Sequence, residues 1–71
     1  MSAQEILDLM EYVDLQEAEI VLCDFYIEVF QSGDTVTPRD KEFIARYLAL
    51  RAKHEANLRE GHAALILMAN S

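Results

Sequence analysis

Two histidines, one cysteine and thirteen carboxylates are the side chains through which this chain could do chemistry. His54-Glu55 begins like the helical zinc-protease motif. That chemistry needs a second His four positions on, and Leu58 stands there. His54 and His62 share a helix face two turns apart, too far to hold one ion from a single helix, and no further soft ligand accompanies them. No metal and no cofactor are therefore expected, and His54 reads as a polar residue inside an apolar seam, setting register between paired helices. Cys23 falls between Leu22 and Asp24 in a strongly apolar stretch, where a cysteine is an inert small hydrophobe and not a nucleophile. There is no Gly-rich phosphate loop, no G-x-S-x-G and no paired-cysteine motif. General acid–base work needs two carboxylates held in a pocket, and a short helical chain has little concave space to offer. An enzyme is not expected.

The elements that would position these residues are helices. Ser32-Gly33-Asp34-Thr35-Val36-Thr37-Pro38 is the one clear loop. Gly33 suits a left-handed stop for the helix before it, and Thr37-Pro38-Arg39-Asp40 supplies an N-cap, a proline at the first helical position and an acid at the third. The reading is an all-α antiparallel helical hairpin, a single domain over 1–71, with helices at about 2–32 and 38–68 joined by a loop over 32–37. Ser2-Ala3-Gln4-Glu5 is a capping box that opens the first helix. Asp14-Leu15-Gln16-Glu17 is a second capping signal. It predicts a kink or break at 13–15, leaving helices 2–12 and 15–31, as the alternative to one continuous helix. Gly61 could likewise end the second helix early, leaving an apolar tail over 62–68.

Apolar periodicity assigns the faces. Ile6, Leu9, Met10 and Val13 lie together at helical spacing, whereas Leu15, Ala18, Leu22, Phe25, Tyr26 and Val29 form a stripe turned well away from them. From Ile20 to Phe30 the helix is apolar almost all round: Ile20, Cys23, Ile27 and Phe30 on one side, Leu22, Phe25, Tyr26 and Val29 on the other. One neighbouring helix cannot cover two opposed faces, so a homodimeric helical bundle is expected. The second helix offers a seam of Phe43, Tyr47, Leu50, His54, Leu58, Gly61, Leu65 and Met68. The dimer or hairpin core is accordingly expected to comprise Ile20, Phe25, Ile27, Phe30, Phe43, Tyr47, Leu50, His54, Leu58 and Leu65. Ala45, Ala49, Ala52, Ala56 and Ala63 make a small-residue stripe, either a close-packing face or an exposed run of the best helix former. Glu42/Arg46 and Glu55/Arg59 are i, i+4 pairs that support the helix.

Charge separates the two halves. Residues 1–38 carry nine acids and no Lys or Arg, whereas residues 39–71 carry six bases against four acids, within a net charge of −7. Phosphate binding needs a basic face, so direct nucleic-acid binding is not expected, and the seven-residue loop is too long for a helix-turn-helix. No run of about 18 apolar residues is present for a membrane span. The chain shows no secretory signal, and one unpaired cysteine suits a reducing compartment, so a cytoplasmic location is expected. The partners expected are a second copy of the chain and a protein with a basic surface. The partner-binding stripe is read as Asp8, Glu11, Tyr12, Leu15, Glu19, Leu22 and Tyr26, because tyrosines supply binding energy and acids steer toward a basic target.

In size, acidity and helix-loop-helix layout, the chain resembles two groups of small proteins. One is the phage-encoded host-takeover proteins, including the anti-quorum-sensing type that sequesters a host transcription factor. The other is the hairpin co-chaperones of type III secretion, whose second helix likewise follows a Gly-containing turn. The half without Lys or Arg favours the first group, since it suits a basic, DNA-binding target. That resemblance implies a regulator or inhibitor of a host protein. The co-chaperone resemblance implies an apolar helical client held by Tyr47, Leu50 and Leu58, and a purely structural dimerisation module is the third alternative. No functional residue is carried across from either group.

Overall fold

A computed structural model describes residues 2–70 and consists of two helices, α1 (Ala3–Gln31) and α2 (Pro38–Ala69). Cross-helix contacts give the topology. Phe30 stacks on Phe43, Tyr26 on Tyr47, Asp24 pairs with Arg51, and Gln16 meets His54. Ascending numbers on α1 match descending numbers on α2, so the helices run antiparallel in a rod of 53 × 14 × 13 Å.

The ends form as local chemistry dictates, with one exception. Ser2 Oγ accepts the Glu5 backbone N–H at the start of α1. Thr37 and Asp40 make a reciprocal capping box, with both side-chain bonds at 3.1 Å and Pro38 in the first turn. At the end of α1, Gly33 is not left-handed. Ser32 caps instead, in right-handed helical geometry, donating its N–H and its hydroxyl to the Val29 carbonyl. A serine that satisfies the last carbonyls itself removes the need for a glycine turn.

Two interruptions that the sequence offers as alternatives to continuous helices are absent. α1 runs unbroken through Asp14-Leu15-Gln16-Glu17, and α2 runs unbroken through Gly61. The reason is one seam that the apolar pattern conceals. Ile6, Leu9, Val13, Gln16, Ile20, Cys23, Ile27 and Phe30 repeat in steps of three and four, and all are buried or half-buried. That is a heptad seam with a polar residue at its centre. Asp40, Ile44, Tyr47, Arg51, His54, Leu58, Gly61, Leu65 and Met68 repeat in the same way on α2 and are likewise covered. A capping signal in mid-helix cannot open a turn when the residues on either side of it are held by one partner helix.

The helices approach closely at Gly61. A Cβ placed there would lie 2.7 Å from Val13 Cγ2 and 3.5 Å from Tyr12 Cδ1. Its missing side chain is used for packing and not for turning.

Candidate functional site

The candidate site is an exposed apolar stripe on the side of α1 away from α2. Leu15, Leu22, Phe25 and Val29 are 55%, 45%, 57% and 49% exposed, and Ala18 joins them. These five repeat in steps of three, four, three and four. α1 thus carries a second heptad seam, opposite the one that builds the hairpin, with nothing of its own chain to cover it. The helix bears eight acids and no Lys or Arg, and its last turn contains no base to offset the negative end of the helix dipole. An open cleft of about 260 Å³ lies at the end of this seam, lined by Phe25, Glu28, Val29 and Ser32.

The expected partner stripe is brought onto this side in part. Asp8, Glu11, Leu15 and Leu22 are exposed and free for contact, and Glu19 is half-covered. Tyr12 leans toward Gly61, and Tyr26 stacks on Tyr47 with ring centroids 5.0 Å apart, so both tyrosines are partly used by the hairpin. Phe25, expected in the dimer or hairpin core, is not part of the hairpin seam: it is exposed and meets Tyr26 edge-on at 5.8 Å. Phe25 and Val29 are legible as apolar, but their place on the outer face follows only from which side α2 occupies.

Of the expected core, Ile20, Ile27, Phe30, Tyr47, His54, Leu58 and Leu65 lie in the hairpin seam, and Phe43 stacks on Phe30 beside it. Leu50 does not: it is exposed, and Arg51 takes the seam position with its guanidinium 2.5 Å from Asp24 and paired also with Glu55. A long aliphatic stem can cover apolar surface while its head stays wet. Glu55 thus pairs with Arg51 rather than Arg59, and Arg46 lies over the Phe43 ring at 5.6 Å, with Arg39 at 5.7 Å. With Tyr47 and Leu58 occupied by α1, the surface expected for an apolar client on α2 is largely consumed.

The middle of the seam is polar. Gln16, only 5% exposed, presents Oε1 to His54 Nδ1 at 2.6 Å and accepts Asn57 Nδ2 at 3.3 Å. The short contact requires that Nδ1 carry the hydrogen and donate it. His62, on the flank, lies 3.8 Å from Glu17. Among the described residues, no three His, Cys, Asp or Glu side chains converge as metal ligands would. No family model, curated protein or solved structure matches the chain. No helix among the described residues is long and apolar enough to cross a membrane.

Cys23 sits in the seam, 4% exposed. Burial pushes its thiol up from the ordinary value, the Glu19 and Asp24 carboxylates add to the rise, and Arg51 opposes it. Fewer thiolates and a covered sulfur both slow reaction. In the folded protein, a chromogenic disulfide reagent is expected to modify Cys23 at least about tenfold more slowly than in the urea-unfolded chain. Equal rates would show that the seam does not enclose it.

Proposed function

We propose that this protein is a small protein-binding regulator or inhibitor that engages a basic protein surface, such as that of a transcription factor, through the outer face of α1. One observation carries the reading: an exposed apolar heptad seam lies on a helix with eight acids and no Lys or Arg. Apolar seams supply binding energy once covered, and a one-signed rim selects a target of opposite charge and speeds encounter. Catalysis has no comparable support, because the most enclosed polar group, Gln16, is already engaged by His54 and Asn57.

Self-association is the second reading, favoured by the same uncovered seam and by the exposed Ala45, Ala49 and Ala52 on the more basic α2. A solution mass near 8.1 kDa at micromolar concentration would remove it.

The test is a comparison of the wild-type chain with the Asp8→Lys/Glu11→Lys/Glu19→Lys variant as capture reagents, followed by affinity measurement on a captured basic protein. The wild-type complex is expected to weaken as salt rises, and the variant to bind at least about tenfold more weakly, roughly 1.4 kcal/mol. Affinity indifferent to both salt and charge reversal would remove the acidic-face reading.

A further inference from the structure

We infer that the outer seam of α1 is a receptor for one amphipathic helix of a basic partner. That helix would place Arg or Lys into the holes at the two ends of the seam and apolar side chains into those between. The inference rests on the reading above and goes beyond it by naming the shape and residue pattern of what binds. In knobs-into-holes packing, a side chain from one helix inserts among four residues of the other spaced i, i+3, i+4 and i+7. Phe25, Glu28, Val29 and Ser32 have this spacing, and they line the open cleft. Leu15, Ala18, Glu19 and Leu22 have it too, three steps earlier along the seam.

Both end holes contain one carboxylate among otherwise small or apolar walls, Glu28 in the first and Glu19 in the second. An arginine knob satisfies such a hole fully. Its stem lies on Val29, its guanidinium meets the exposed Phe25 ring and the Glu28 carboxylate, and it faces the negative end of a helix dipole that no base of α1 offsets. The two holes are ten residues apart, about 15 Å along the axis, so the partner's cations stand about three turns apart on one face. Leu22, the wall of the earlier hole nearest Phe25, is the centre of the apolar contact.

A second copy of the chain fits less well. Pairing α1 with α1 brings two helices without Lys or Arg together, leaving every end hole without a cation. Pairing α1 with the outer face of α2 offers short alanine knobs. That contact is also head-to-tail, so each added copy leaves another seam bare.

The test uses three synthetic helical-length peptides titrated into the full chain by fluorescence anisotropy. One has leucine knobs in steps of three and four with arginines at both ends of the stripe. The second has the same composition scrambled so that no stripe forms, and the third has glutamates in place of the arginines. The first is expected to bind and to gain helicity, Phe25→Ala and Glu28→Lys each weakening it about tenfold. Both residues are exposed, and circular dichroism of the variants verifies that the hairpin persists. Equal binding of the scrambled peptide overturns the helix-receptor inference but leaves the basic-partner reading standing. Equal binding of the glutamate peptide overturns both. Displacement of bound peptide as the protein's own concentration rises would assign the seam to a second copy and overturn the inference.

Discussion

Gly61→Leu is expected to abolish the folded hairpin, lowering stability by about 3 kcal/mol or more in urea unfolding followed by circular dichroism. The position has no room: even a methyl group would sit 2.7 Å from Val13 Cγ2. Val13 is 5% exposed and β-branched, so it cannot swing aside without leaving its rotamer. Gly61→Ala sets two effects against each other. Alanine gains about 1 kcal/mol of helix propensity over glycine, while overpacking costs about 1–3 kcal/mol. The clash is the larger, so a net loss of up to about 2 kcal/mol is expected. Adding Val13→Ala removes the clashing methyl, and the double variant should be less destabilised than the two single losses added together. A Gly61→Leu protein with wild-type stability would mean that the helices do not approach closely there. A loss of this size matters because a hairpin of this length has only a few kcal/mol of stability to lose.

The second large effect belongs to the polar layer. Gln16→Leu should cost about 1–3 kcal/mol, because it strands His54 Nδ1 and the Asn57 amide inside the seam without their acceptor. His54→Leu removes one of the two donors to Gln16 Oε1 and leaves Asn57 Nδ2 on it, so it should cost less. The pair changed together should recover part of the Gln16→Leu loss, since His54 no longer lacks an acceptor and only the Asn57 amide does. A double-mutant cycle reads the coupling directly, and purely additive losses would show that Gln16 and His54 do not interact. The polar layer also selects an alignment. With leucine at both positions the seam tolerates sliding by a heptad, whereas Gln16 finds its partners only in the observed register. Faster amide exchange in the double variant at equal stability would register that lost specificity.

The two variants concern residues that pattern reading handled differently. Gly61 was visible as a glycine in a seam, yet its local meaning, a helix stop, is the opposite of its use. Gln16 was read as part of a capping signal. As a polar residue it broke the apolar count at the very position that joins Ile6, Leu9 and Val13 to Ile20, Cys23, Ile27 and Phe30. With the link hidden, Ile6, Leu9 and Val13 stand against the outer stripe from Leu15 to Val29 instead of joining Ile20, Cys23, Ile27 and Phe30, and a kink offers itself as the alternative to a continuous helix. Leu50 shows the same fault in reverse. It is apolar and fits the spacing, but Arg51, with its stem against α1 and its head on Asp24, holds the seam position.

The candidate site was legible as composition rather than as place. Leu22, Phe25, Tyr26 and Val29 stood out as more apolar surface than one neighbour could cover, and the absence of Lys and Arg from the first half was plain. Which of those side chains face outward depends on where α2 lies. Tyr26 is drawn partly inward by Tyr47, whereas Phe25 is left in solvent beside the cleft.

Helices, their start at Ser2 and Thr37, the loop between them and the acid-to-base division of the chain are properties of neighbouring residues, and the sequence alone determined them. Caps, prolines and charge counts act over a few residues and need no partner. The continuity of α1, the role of Gly61 and the split of apolar residues between seam and open face were decided only by tertiary structure. Each depends on residues of the other helix, distant along the chain, and the energy of such contacts is set by which helix surface the antiparallel pairing selects, not by local preference.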